Sequence, residues 1–319
     1  MPSKHTNISG LAKKYLSARR PFLKESSYAH YAELAENYID PYVGKQHFEE
    51  LDNNVAGKYI TQLKTCGKTS GKGGLSDKTI RDICSLLKSI YYFAAENGDC
   101  PSDIRFPRLT VSKPSKMKSQ VLTTPHRKQL ETFLTANMNP ENLGIMLCLY
   151  TGMRIGEICA LKWSDVDFDS CLINVNRTVL RIRNTEAHGK QPKTVIVTGT
   201  PKTDSSQRTI PVPKAIGKIL RTEGKQMFAD YYVATCSEKL LEPRRYYDKY
   251  KQILRKCGIT TDYTFHALRH TYATRCIESG IDPKVVSELL GHSSVTITLN
   301  RYVHPTLEMK KRCVERLLR

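Results

Sequence analysis

Residues 107–120, PRLTVSKPSKMKSQ, separate two stretches of chain with different hydrophobic rhythms. Proline blocks helical continuation there, and the lysines carry no apolar period that a core could bury. A chain of 319 residues also exceeds the ~250 residues that one core usually organises, so the break is expected to be a domain boundary. Upstream of it the period is helical. Ile80, Ile83, Leu86, Leu87, Ile90, Tyr91 and Ala94 form one stripe over 76–97, and Gly98 follows as a C-terminal stop. SSYAHYAELAENYIDPYVG sets Tyr28, Tyr31, Leu34 and Tyr38 at helical spacing, with Ser26 and Ser27 as caps and Pro41 as terminator. Val55, Tyr59, Ile60 and Leu63 predict a shorter helix between these two. Helices with one apolar stripe must bury it on one another, so residues 1–106 are expected to form a small all-helical domain. The linker that follows is either a strap along a phosphate backbone or simply solvated chain.

Downstream, residues 121–319 mix two periods. LETFLTAN, ENLGIMLCLYTGM and IGEICALKW are helical. CLINVNRTVLRIR and KTVIVTGTPKTDSSQRTIPV are rich in β-branched residues with polar ones interspersed, which predicts strands of an antiparallel sheet. Helices resume after Pro213. The expected fold is mainly α with a small antiparallel sheet, an α+β class. No run approaches the ~18 apolar residues that a membrane span needs, and MPSKHTNISG has no signal-peptide core; a cytoplasmic protein is expected, with no membrane partner. Ten scattered cysteines without a C-x-x-C pair suggest reduced, mostly buried thiols rather than disulfides or a zinc ribbon.

The net charge of +19 favours a polyanionic partner, of which nucleic acid is the usual one. Residues 1–119 contribute +7 and the remainder +12, so the excess is not a basic tail on a neutral enzyme. Anionic membranes and acidic proteins would satisfy the same charge.

Four segments carry side chains suited to phosphate chemistry. In TGMRIGEICALKW, Arg154 stands at a helix start with Glu157 one turn on, an arrangement that could present a guanidinium to phosphate or form an ordinary surface ion pair. In TPKTDSSQRTIPV, Lys202 sits by a polar turn where it could protonate a departing oxygen, with Lys190 and Lys193 as rivals. In FHALRHTYATRC, His266 and Arg269 share a helical face. His266 and His270, four residues apart, could instead pair on a metal. No Glu follows His266 as a metalloprotease pattern requires, however, and no third ligand is evident, so no metal or cofactor is expected. In LLGHSSVTITLNRYVHP, Gly291–His292 closes a helix begun at Asp282–Pro283, and Tyr302 follows ten residues after His292.

The ordered set Arg154, Lys202, His266-x-x-Arg269, Gly291–His292 and Tyr302 resembles the tyrosine recombinase (phage integrase) family, with TGMRIGE, HALRHTYAT and LGHSSVT close to how its motifs read. The style is most similar to integrases of phages and conjugative elements of low-GC bacteria. The resemblance implies a core-DNA-binding domain at 1–106, a basic linker at 107–120 and a catalytic domain at 121–319 with a helical tail. It implies a site-specific recombinase with Tyr302 as nucleophile, forming a 3′-phosphotyrosine without ATP or metal. Arg154 and Arg269 would clamp the phosphate, with a hydrogen bond from His292. Lys202 would protonate the leaving 5′-hydroxyl, His266 would assist as general base, and Glu157 would support the arginines. Double-stranded core-site DNA would be the partner, bound by a monomer that becomes a tetramer on paired sites, with room for an accessory DNA-bending or excision factor.

Two features depart from the pattern. Many integrases carry an N-terminal arm-binding domain, whereas this chain starts almost at the core-binding helices; it either recognises core sites alone or is a piece of a longer protein. The segment 182–200 lengthens the hairpin region, which bears on the choice of lysine. Two other functions fit parts of the pattern. A type IB topoisomerase would relax DNA without pairing sites, and a non-catalytic regulator would bind DNA without cleaving it, although every position of the set holds a competent residue. In TLEMKKRCVERLL, Leu307, Cys313, Val314 and Leu317 have helical spacing, for docking on a neighbouring protomer or on their own domain. Deletion from Thr306 onward separates the two: docking on a neighbour predicts intact single-site binding with recombination abolished, and unchanged recombination excludes it.

Overall fold

The computed structural model describes residues 6–102, 106, 107, 109, 111, 120–187, 191–200, 204–303, 314 and 315. The chain divides into two compact units, one of residues 1–117 with 182–195 and one of 118–181 with 196–319.

The first unit is built on helices. α1 (Ile8–Arg19) starts where the Asn7 side chain accepts the Gly10 N–H at 2.9 Å, and Ile8, Leu11, Ala12, Tyr15 and Leu16 give it one buried face. α2 (Glu25–Leu34) runs into a π-helical turn, Ala35–Ile39. It begins at Glu25 without a side-chain cap, so Ser26 and Ser27 are first-turn residues and not the caps their sequence suggested. Asp52 caps α3 (Asn53–Cys66), accepting from Asn54 and Val55 N–H groups at 2.8 Å. Ser76 caps α4 (Asp77–Glu96), whose stripe Ile80, Ile83, Leu87, Ile90 and Ala94 is wholly buried. These helices share one core with Leu34, Ile39, Phe48 and Leu63. α1 is the element that the periodicity reading above omits; its apolar stripe is weaker than that of α4.

The second unit holds α5 (Thr124–Ala136), α6 (Pro140–Thr151), α7 (Ile155–Ala160), β1 (Val166–Asp167), β2 (Leu172–Val175), β5 (Arg208–Pro211), α8 (Lys214–Gly224), α9 (Pro243–Lys256), α10 (His266–Glu278), α11 (Pro283–Leu290) and α12 (Val295–Tyr302). β3 (Thr178–Arg183) and β4 (Thr194–Gly199) straddle the division of the chain. The strands make two sheets instead of one: β1-β2-β5, antiparallel throughout, and a β3-β4 ribbon. In the first, Ile173 opposes Ile210 and both are fully buried, while Asn174 and Thr209 face outward and hydrogen-bond at 2.7 Å.

α6 organises this unit. It is apolar around most of its circumference, so it lies inside the core instead of on its surface. Gly144 lets α9 approach it: a Cβ there would lie 2.3 Å from the Tyr246 hydroxyl, which donates to the Glu141 carbonyl at 2.6 Å. α10 packs along α6, and α11 and α12 pack on α10 through a separate small cluster of Ala273, Cys276, Val286, Leu290 and Tyr302. The nine described cysteines are all free, and no described helix is long and apolar enough to cross a membrane. Replacing Gly144 by Ala forces Tyr246 off its carbonyl, so urea unfolding should show a loss of about 1–3 kcal/mol; unchanged stability would mean that the α6–α9 contact is loose.

Candidate active site

The site forms where one end of α6, the start of α7 and α10, the start of β5 and the end of α11 converge. α6 and α11 both stop at a left-handed glycine, Gly152 (φ 67°) and Gly291 (φ 64°). Neither position has room for a side chain. A Cβ on Gly152 would meet Tyr272 and Leu290 at 2.6 and 2.7 Å, and one on Gly291 would meet the Ser205 carbonyl at 2.9 Å. The tight stops leave C-terminal carbonyls pointing at arginines.

Arg269, on the first turns of α10, is 1% exposed, and a guanidinium there must find acceptors. It donates to the Gly152 carbonyl and the Leu290 carbonyl, each at 2.7 Å. Burial, with Arg154 next in effect, lowers its pKa to about 9, which leaves it cationic at neutral pH. Arg154, at the N-cap of α7, is more open. Its Nη1 donates to Glu157 Oε1 at 2.7 Å and its Nη2 to the Gly291 carbonyl at 3.2 Å. The buried Glu157 carboxylate also accepts the Arg154 backbone N–H at 2.9 Å, so it caps the start of α7 from one turn inside the helix.

On its other side Glu157 receives Arg208. Nη1 and Nη2 of Arg208 donate to the two carboxylate oxygens at 3.2 and 2.9 Å, and Nε donates to the Leu289 carbonyl at 2.7 Å. Burial acts to raise the Glu157 pKa, but the charges and hydrogen bonds of Arg208 and Arg154 outweigh it and leave the value below normal. Arg208 was not singled out in the sequence. Its signal was a charged residue two before Ile210 in β5, on the strand face that carries the core.

Tyr302 ends α12 and is 7% exposed. Its hydroxyl lies 2.7 Å from His270 Nδ1, and its ring stacks parallel on His292 with centroids 6.3 Å apart. Burial raises its pKa, against the opposing pull of Arg269 and Arg301. The His292 Nδ1 is tied to the Thr298 hydroxyl at 2.8 Å, which fixes the ring and leaves the other nitrogen for a ligand. His266 reaches solvent at the start of α10, with its ring edge-on to His270 at 4.5 Å. The sequence pairing of His266 with His270 was thus a true proximity, and what His270 touches is a phenol. Among the described residues no His, Cys, Asp and Glu side chains group as metal ligands. Thr298 and Arg301 also went unmarked, since nothing in their local pattern separates them from surface residues.

Arg154, Glu157, His266, Arg269, His292 and Tyr302 therefore come together. Lys202 and Lys190 lie outside the described residues, as do Leu307, Cys313 and Leu317, whereas Lys193 is exposed. Loss of hydration lowers the histidines first, and the neighbouring arginines add to it: His266 to about 4, His270 and His292 to about 3. In the unfolded chain these rings protonate near 6.5, so between there and pH 4 the unfolded state binds more protons. Stability must then be full above the unfolded value and fall as pH drops. Between pH 7 and pH 5 the loss should be about 1–2 kcal/mol for the buried His270 alone. Urea midpoints at the two pH values check it, and His270→Asn should shrink the drop.

The described geometry can be set beside known proteins. A model of the phage integrase family matches residues 120–309. The tyrosine recombinase XerC-like protein of Caldanaerobacter subterraneus subsp. tengcongensis is 29% identical over 272 residues, covering 76% of this chain and 66% of that protein. The transposase from transposon Tn916 of Enterococcus faecalis is 28% identical over 271 residues, covering 77% and 63%. The chain thus spans just under two thirds of the length of these curated relatives. A solved structure of the Tn1549 transposon integrase in complex with transposon right end DNA superposes with a TM-score of 0.75 at 24% identity, covering 98% of this chain and 100% of that one. The matched span takes in every residue of the arginine, histidine and tyrosine cluster, and the chain belongs to the phage integrase family.

Proposed function

We propose that the chain is a site-specific DNA recombinase that cuts and rejoins strands through a 3′-phosphotyrosine at Tyr302, serving integration and excision of a mobile element. The observation that carries this is the convergence of two arginines, Arg154 and Arg269, with a buried tyrosine and a fixed histidine in one cluster. Arg154 and Arg208 share a single carboxylate, Glu157, and Arg269 has carbonyl partners only, so the cluster holds positive charge that a phosphate would neutralise. The nucleic acid in the solved complex with transposon right end DNA, the +19 net charge and the names of the curated relatives all support DNA as substrate. They favour strand exchange over relaxation by a topoisomerase or silent binding by a regulator.

In this mechanism the Tyr302 phenol attacks the scissile phosphate and the 5′-hydroxyl departs. The bond energy is kept in the phosphotyrosine, so rejoining needs no ATP. Arg154 and Arg269 stabilise charge on the non-bridging oxygens, with His292 donating from the nitrogen that Thr298 leaves free. Glu157 and Arg208 hold Arg154 in place. Lys202 protonates the leaving oxygen and His266 assists proton transfer. The first unit, with the basic linker, serves as the core-DNA-binding domain. A lambda integrase tetramer has been solved on a Holliday junction, and a tetramer on paired DNA, aided by an accessory bending or excision factor, is the assembly proposed here. The protein acts in the bacterial cytoplasm, on nucleoid DNA.

A nicked duplex spanning the junction of the encoding element with its flanking DNA, incubated in EDTA, tests the chemistry. Wild type should form a covalent adduct and Tyr302→Phe none. An adduct with both moves the nucleophile elsewhere, and none with either, despite binding, leaves the regulator. Arg154→Ala and Arg269→Ala should each slow adduct formation about a hundredfold, the usual cost of one such donor.

A further inference from the structure

We infer that His270 takes the proton from the Tyr302 phenol, a catalytic role beside the assistance given by His266. The inference rests on Tyr302 being the nucleophile and goes beyond the residue roles given above.

A general base must lie within hydrogen-bond reach of the proton it removes. The described side chain that meets this at Tyr302 is His270, with Nδ1 at 2.7 Å from the hydroxyl and both groups buried. His266 stands one ring further out, edge-on to His270, and His292 lies flat against the tyrosine ring with its Nδ1 turned to Thr298. A neutral His270 bare on Nδ1 and protonated on Nε2 is the form that can accept from the phenol. Against the effect of burial, the Arg269 and Arg301 cations favour loss of the phenolic proton. In the reaction the Oη–H bond breaks, its proton passes to Nδ1, the Oη–P bond forms and the P–O5′ bond breaks. His270 becomes an imidazolium beside His266, and on rejoining it returns the proton to the phenol.

Charge makes this proton transfer conditional on substrate. His270 faces His266 and Arg269 on its own helix, Arg301 and Tyr302 on α12, and His292 at the end of α11. Burial and these cations keep it a weak base in the free protein. A phosphate held by Arg154 and Arg269 would cancel much of that positive field, so the base would strengthen when a strand is in place to be cut.

The test uses the full chain and the nicked junction duplex, with single-turnover adduct formation as the readout and gel-shift binding and thermal unfolding as controls. His270→Asn keeps a hydrogen-bonding atom near the Nδ1 position and cannot take a proton; His270→Ala removes both. Each should slow adduct formation about a hundredfold or more, the usual contribution of a general base, with binding unchanged. A polyfluorinated tyrosine in place of Tyr302, already ionised at neutral pH, should restore most of the rate to His270→Asn, which a purely structural role would not allow. A loss under about threefold overturns the proposal. So does a loss that the fluorinated phenol fails to restore in a variant that folds and binds. Absence of adduct from wild type that binds the duplex would instead strike at Tyr302 chemistry itself.

Discussion

Three successive carbonyls at the end of α11 hold this site together. The Leu289 carbonyl accepts from Arg208, the Leu290 carbonyl from Arg269 and the Gly291 carbonyl from Arg154, at 2.7, 2.7 and 3.2 Å. The last carbonyls of a helix have no partners within it and sit at its negative end, so cations belong there. Here the three cations arrive from β5, from α10 and from the N-cap of α7. One glycine stop thereby fixes the relative positions of three otherwise separate elements. The same contacts orient the guanidinium groups with little side-chain freedom left to lose when a ligand binds, which is what preorganised charge stabilisation requires.

Such an arrangement is costly when empty. Glu157 balances one of the three charges, and Arg269 is buried against carbonyl dipoles alone among the interactions described for its guanidinium. Partly compensated buried charge lowers stability, and anything that binds the folded form and supplies negative charge recovers it. The histidines report the same field. His266, His270 and His292 are all held neutral well below their ordinary range, with the arginines adding to the loss of hydration. Tyr302 experiences both influences in opposition, burial favouring the phenol and the arginines favouring the phenolate. A single incoming phosphate therefore shifts every titrating group of the cluster in the direction of accepting a proton.

Much of this was legible before any coordinates, and the parts that were not share a cause. The α4 stripe, the Asp282–Pro283 start and the Gly291 stop were readable because each is a local rule written in consecutive residues. Arg154 with Glu157, and His266 with Arg269, were readable because helical spacing places them together. The Ser26–Ser27 cap failed because the helix could start earlier, at Glu25, without a side-chain cap. The single expected sheet became two, since strand partners depend on chain separated by long connections. Arg208 is the clearest loss. Its partners are Glu157, 51 residues away, and Leu289, 81 residues away, and no local period announces a contact at that range. His270 was noticed for its spacing, yet its partner lies on another helix, 32 residues on.

The arginines and the tyrosine are supported unequally, and the difference bears on how the proposed cutting would be controlled. Arg269 and Glu157 sit on helices anchored to the large core around α6. Tyr302 instead belongs to a cluster of five buried residues shared by α10, α11 and α12, while Ile297 and Leu299 on α12 are 38% and 41% exposed. Local opening costs least where few apolar contacts are broken. The proposed phosphate clamp thus rests on the larger core of the unit and the proposed nucleophile on a small cluster. α11 is common to both, since its last turn caps the arginines and its Val286 and Leu290 pack in the cluster that carries Tyr302. A displacement of α12 that left α11 in place would remove the tyrosine while keeping the arginines in position, so under the proposed function strand binding and strand cutting would be separable within a single fold.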